Sequence, residues 1–280
     1  MTQLPAPGGP SVSRVWFVTG ASRGLGRAFT EAALAAGERV VATARDVSSL
    51  DGHGHDGHLV ALPLDVSRRA EVFAAVDRAV AAFGRLDVVV NNAGQLVLGM
   101  VEETTEEQAR DHFDVNFFGA LWVTQAVLPV LRAQGAGHLF QVTAMGAGGG
   151  SAGSGIYSAG KAALSAMGEA AAAEAGPLGI HVTLLEPGAY DTGLGHLGST
   201  VAPPHPAYDG VRAALEASWA ESPPPASPAA AAKVVLEISR MDSPPRRIVL
   251  GDRAWDEVVA GQRDRLREYT DGEQLSRRGG

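Results

Sequence analysis

Tyr157 and Lys161 stand four residues apart in the stretch "YSAGK". On a helix that spacing puts both side chains on one face. A phenol beside an ammonium is a pair suited to moving a proton. Proton transfer to or from a substrate oxygen also needs a group that holds the oxygen in place. The apolar run "HLFQV" just upstream ends in Thr143, Ala144 and Met145, and one of these would be expected to do so. The plain alternative is a packed helix tyrosine beside a solvated lysine.

A second stretch, "VTGASRGLG", offers different chemistry. It follows an apolar run and opens a helical pattern. Gly20 permits a tight turn, Gly24 lets a phosphate approach the backbone, and Gly26 lets helix and strand pack closely. Free N–H groups at the helix start, with the helix dipole, favour a pyrophosphate. Ser22 and Leu25 belong to the same turn. Farther on, "ATARD" ends a second apolar run. Dinucleotide folds read the adenosine ribose at that point; an acid there accepts from a free 2′-hydroxyl. Arg45 instead suits a 2′-phosphate, Arg23 adds a second positive charge, and Asp46 weighs slightly against both.

The elements that must position these groups alternate. Strands are expected at 14–20, 39–45, 58–65, 86–94, 137–144, 180–188 and 247–251, and helices at 24–37, 67–83, 105–134, 155–176, 229–240 and 252–269. Ser67 is the expected N-cap of the second helix, and Thr105 opens the third with Glu106 and Glu107 in its first turn. Strands apolar almost throughout imply burial on both faces and therefore a parallel sheet between helices. The expectation is one α/β domain over 14–251: a doubly wound, Rossmann-type sheet of about seven strands. Residues 1–13 read as a disordered lead, and 252–280 as a C-terminal helix and tail. The Pro-rich segment 193–228 reads as irregular and as a cover for substrate, with Leu194, Leu197, Tyr208 and Trp219 as apolar lining.

Composition excludes several classes. The 280 residues hold no cysteine, so disulfides, thiolate nucleophiles and Cys–zinc sites are ruled out. A net charge of −8 argues against a nucleic-acid surface. No uninterrupted apolar run reaches the roughly 18 residues of a membrane span. The N-terminus lacks the charged-then-apolar order of a signal peptide, and a cytoplasmic location is expected. "DGHGHDGH" (51–58) reads as a flexible polar loop rather than a metal site.

Taken in order, these residues resemble the short-chain dehydrogenase/reductase family over roughly residues 14–250. The resemblance rests on "TGASRGLG", "LDV" (64–66), "NNAG" (91–94), Asn116, "YSAGK" and "EPGAYDT" (186–192). It implies that Asp65 and Val66 flank an adenine, and that Asn91, Ala93 and Gly94 line the floor beneath the cofactor. Pro187, Gly188, Tyr190 and Thr192 would hold the nicotinamide end. Tyr157 would be the general acid or base, its pKa lowered by Lys161. Lys161 would also bind the nicotinamide ribose, and Asn116 would hold a water linking Lys161 to solvent. The cofactor would be NADP(H), the substrate a small molecule with apolar character, and the assembly a homodimer or homotetramer.

The pattern breaks at one position. The family places a serine thirteen residues before the tyrosine, and here that residue is Ala144. Loss of one such donor typically costs about 10²–10³ in rate. Thr143 should point away on a regular strand. Ser151 or Ser154 could reach in from the loop "GAGGGSAGSG", which otherwise reads as a flexible connector. The alanine could also be an engineered change. The remaining alternatives are a non-redox cyclase, isomerase or dehydratase on this scaffold, or a dinucleotide-binding protein without turnover.

Overall fold

The computed structural model describes residues 13–50, 57–194 and 198–279. Seven strands form one parallel sheet: β1 (Val15–Thr19), β2 (Arg39–Ala44), β3 (Leu59–Pro63), β4 (Val88–Asn91), β6 (Gly137–Val142), β7 (Ile180–Pro187) and β9 (Arg247–Leu250). Their spatial order is β3-β2-β1-β4-β6-β7-β9, so the chain winds outward from β1 to one edge, returns, and winds to the other. That reversal opens a crevice beyond the strand ends, where ligands bind in open α/β sheets. β5 (Leu96–Leu98) and β8 (Ser199–Val201) form a separate parallel pair.

Burial on both faces explains the unbroken apolar strands. All five residues of β1 are buried. On one face, Phe29 and Leu34 of α1 (Gly24–Ala35) share a core with Val235 and Ile238 of α7 (Pro228–Ile238). On the other, Val72 and Val76 of α2 (Arg69–Phe83) join Val127 and Leu131 of α4 (Ala120–Gln134) and Ala171 of α5 (Gly155–Ala175). Helical stretch 106–134 is long and apolar enough to cross a membrane by length and composition. Its apolar residues Val123, Val127 and Leu131 are fully buried in this core.

Several expected boundaries move for local reasons. Ser67 does not cap α2: its hydroxyl donates to Asp65 Oδ1 (2.7 Å), its N–H to the same oxygen (3.0 Å), and the helix starts at Arg69. The tight Asx turn takes the serine that a cap would have used. Stretch 105–134 is not one uniform α-helix. α3 (Glu106–Phe113), with the Thr105–Gln108 capping box, passes into a π-helical segment, Asp114–Gly119, before α4 resumes. Segment 193–228 is not irregular throughout, since it holds β8 and the exposed helix α6 (Asp209–Ala220). A polar helix, α8 (Asp252–Asp271), follows β9. Most of the histidine-rich stretch and most of the N-terminal lead lie outside the described residues.

Asn91 departs from the floor expected of it. Its carboxamide is buried and turned toward α4, donating within 3.0–3.2 Å of Gln141 Oε1, Thr124 Oγ1 and the Ala120 carbonyl. Gln141 Nε2 closes the network on Thr124 Oγ1 at 3.0 Å. The group therefore ties β4, β6 and α4 together. Asn91→Ala leaves buried acceptors unpaired and should cost about 1–3 kcal/mol in urea unfolding. Affinity for a nicotinamide nucleotide should stay unchanged in fluorescence titration; a large loss of affinity would restore Asn91 to the cofactor floor.

Candidate active site

The strand ends open into one cavity of about 1060 Å³. At one end lies the glycine turn, with Gly20, Ser22, Arg23, Gly24 and Leu25 in its wall. Gly26 lies behind it, where a Cβ would collide with the Gly20 carbonyl oxygen and the Asn92 amide. That amide donates to the Thr19 carbonyl (2.9 Å) and the Gly20 carbonyl (3.1 Å), fixing the turn from the β4 side. Arg45 is exposed at the cavity rim beside Asp46 and Ser49, and Asp65 and Val66 line the adjacent wall. Ala93 and Gly94 follow along the floor. Pro187, Gly188, Tyr190 and Thr192 line the opposite side. Of the expected cofactor residues lying in the described chain, only Gly26 and Asn91 stand outside the wall.

Tyr157 and Lys161 share one face of α5 at the other end of this cavity. Lys161 is buried, and its Nζ donates to the Val142 carbonyl at 2.7 Å. The ammonium stands 6.0 Å from the Tyr157 ring centre. Burial dominates both groups. It pushes the Tyr157 phenol up to about 12 and pulls Lys161 down to about 8. The phenol therefore shifts up rather than down as expected, because the loss of water disfavours the phenolate.

Asn116 sits in the π-helical segment and is fully buried. Its Oδ1 accepts from the Gln95 N–H at 2.8 Å, and its Nδ2 donates to the Gln95 carbonyl at 2.9 Å. The side chain thus clamps the main chain just past "NNAG". His112, one turn earlier, was not foreseen. Its ring lies 3.3–3.4 Å from Asn116 Nδ2 and 5.8 Å between centres from the Tyr157 ring. Burial, helped by the Lys161 charge, pulls His112 down to about 4, so it is neutral near pH 7. Its four-residue spacing from Asn116 was the available signal.

Ala144 is buried, and none of the three hydroxyls expected to stand in for the absent serine is free to do so among the described residues. Thr143 does line the cavity, but its Oγ1 donates to the Leu185 carbonyl at 2.8 Å. Ser151 is exposed, and Ser154 Oγ is directed to the Ser151 carbonyl at 3.3 Å; neither lines the cavity. The glycine loop itself is ordered by a short 3₁₀ turn, Met145–Gly148.

The segment expected to cover substrate, 193–228, is pinned at several points. β8 pairs with β5, and Gln108 Nε2 donates to the Val201 carbonyl at 3.1 Å. Glu103 accepts from the His205 N–H (2.7 Å) and Arg212 Nη2 (2.6 Å). The Arg212 hydrogen bond and those backbone N–H groups hold its carboxyl down at about 2. Leu194 lines the cavity as expected. Tyr208 does not, because its hydroxyl is taken by Glu102 (2.5 Å), and Trp219 is half exposed on α6. Leu197 lies outside the described residues.

Comparison with known proteins agrees with this geometry. A curated relative, oxidoreductase BOA17 of Botryotinia fuckeliana, is 34% identical over 277 residues, covering 92% of this chain and 98% of its own. A short-chain dehydrogenase from Streptomyces avermitilis superposes with a TM-score of 0.88 at 35% identity, over 96% of this chain and 100% of that one. A short chain dehydrogenase from Burkholderia cenocepacia, solved in complex with NADP, superposes at 0.75 with 26% identity, over 92% and 97%. The family model described as short chain dehydrogenase matches residues 14–199, and the chain belongs to that family of oxidoreductases.

Proposed function

We propose that the protein is an NADP(H)-dependent oxidoreductase acting on a carbonyl/alcohol pair. The observation that carries this reading is the single cavity joining the glycine turn to Tyr157 and Lys161. The residues present fit a dinucleotide. The turn can pack against Ala93, Thr192 and Asn92 only because Gly20, Gly24 and Gly26 lack side chains, and Arg23 and Arg45 stand in the cavity wall. Arg45 would hold a 2′-phosphate bidentately, and Asp65 and Val66 would flank the adenine. The NADP complex of the Burkholderia relative supports the same cofactor.

A bound nicotinamide nucleotide supplies or accepts the hydride. The protein's own groups handle the proton. Tyr157, held protonated by its surroundings, is in the correct state to donate to a carbonyl oxygen. Lys161, mostly charged near pH 7, stabilises the phenolate left behind. Asn116 and His112 hold the floor against which substrate and cofactor meet.

Three outcomes test this reading. NADPH should bind more tightly than NADH in fluorescence titration, and Arg45→Ala should abolish most of the difference; equal affinities would contradict the assignment. Tyr157→Phe should abolish NADPH oxidation against a panel of aldehydes and ketones while leaving NADPH binding intact. Substrate conversion with no change in NADPH absorbance would instead favour the non-redox alternative. The third outcome follows from Lys161. The unfolded chain holds that proton up to 10.5, the folded free protein only to about 8. Stability from this group therefore rises with pH between those values and is lost as pH falls through the lower one. Urea unfolding of Lys161→Met should lack that rise.

A further inference from the structure

Ala144 leaves the reacting oxygen with one donor, the Tyr157 hydroxyl, where a second would be worth about 10²–10³ in rate. The cavity wall narrows the candidates. Ser22, Arg23, Arg45, Ser49 and Ser67 belong to the nucleotide end. Asn92 is committed to the glycine turn and Thr143 to the Leu185 carbonyl. Thr192 Oγ1 accepts from the Leu194 N–H and keeps its own O–H to donate, and Tyr190, Ser199 and Thr200 also line this wall, so hydroxyls compete with any other donor here.

Gln95 is different. It lines the cavity that holds Tyr157, and also an adjoining one of about 410 Å³. Its main chain is clamped at both N–H and carbonyl by Asn116. The His112 ring lies 3.3–3.4 Å from Asn116 Nδ2 and 5.8 Å between centres from the Tyr157 ring, so one imidazole stands beside both the clamp and the phenol. The preceding residue closes on the lysine: a Cβ at Gly94 would lie 3.5 Å from Lys161 Nζ. Backbone and neighbours are thus fixed beside the proton-transfer pair. Among the described residues the Gln95 carboxamide itself has no hydrogen-bond partner, while it retains two N–H donors that stay neutral at every working pH.

We infer that the Gln95 carboxamide donates the second hydrogen bond to the reacting oxygen, the work a serine hydroxyl at position 144 would otherwise do; this rests on the reductase reading. In the reduction, hydride from NADPH forms the new C–H bond. The π pair of the carbonyl moves to oxygen, and oxygen takes the Tyr157 proton. Gln95 transfers nothing; its N–H stabilises the charge that grows on oxygen during the step. Gln95 is then a catalytic residue, and Asn116 and His112 are its positioning residues.

The test is a cycle of four proteins: the chain described here, Gln95→Leu, Ala144→Ser and the double variant. Turnover of NADPH with a reducible ketone is measured for each, with NADPH affinity as control. Gln95→Leu should lower kcat by about 10²-fold with NADPH affinity unchanged. Ala144→Ser should make the loss of Gln95 nearly harmless, because either donor suffices. Binding of isobutyramide, a carbonyl mimic that cannot be reduced, to the protein–NADPH complex should weaken at least tenfold in Gln95→Leu. Turnover unaffected by Gln95→Leu, or equal losses with and without Ser at position 144, would overturn the inference while leaving the reductase reading standing. No oxidation of NADPH by the unsubstituted chain or by Ala144→Ser, with any carbonyl, would overturn both.

Discussion

One carboxamide fastens the chemical end of this molecule. Asn116, itself fully buried, grips the Gln95 main chain through paired hydrogen bonds of 2.8 and 2.9 Å. Two elements that the parallel sheet alone does not connect are joined there: the loop leaving β4 and the helical stretch 106–134. The π-helical segment is what brings the residue into place. An extra residue in the turn shifts the helix face and frees local backbone groups, which is why such segments recur at functional sites. Gly119, at the end of that segment, packs so closely on Val66 that a Cβ would fall 2.8 Å from its Cγ2. The distortion that aims Asn116 also seats the helix against Val66 in the cavity wall.

Burial sets the electrostatics around that clamp. Within a few ångströms of one another lie a phenol made harder to ionise, a lysine made easier to deprotonate and a neutral imidazole. All three shifts share one cause, the removal of water from a charged form. A site built this way favours uncharged partners before reaction and rewards groups that stabilise charge only as it develops. A neutral amide donor suits it better than a further cation would, because it adds no repulsion to Lys161.

Much of this was legible in the residues. Unbroken apolar runs such as "VWFVT" and "VVVN" required a doubly buried parallel sheet, and the glycine spacing required a turn with no room for side chains. The proton pair was visible in the spacing of Tyr157 and Lys161. What escaped depended on tertiary context. Asn91 stands in a motif whose neighbours line the cavity, yet strand alternation sends its side chain to the other face, into a network with Thr124 and Gln141. Ser67 had the right type for a cap but was claimed by Asp65. The direction of the Tyr157 shift turns on how much water reaches the hydroxyl, which no local pattern encodes. His112 and Gln95 carried only faint signals: one turn of helix before Asn116, and one residue past "NNAG".

The central claim is that a substrate oxygen rests between the Tyr157 hydroxyl and the Gln95 carboxamide, because Asn116 holds the Gln95 backbone there. Its most direct test is a crystal structure of the protein with NADPH and isobutyramide bound together. The account predicts the amide oxygen within hydrogen-bond distance of both groups, with the nicotinamide ring against Tyr157. An amide oxygen held by Tyr157 alone, with Gln95 turned away, or a nicotinamide pocket filled by protein atoms, would contradict it.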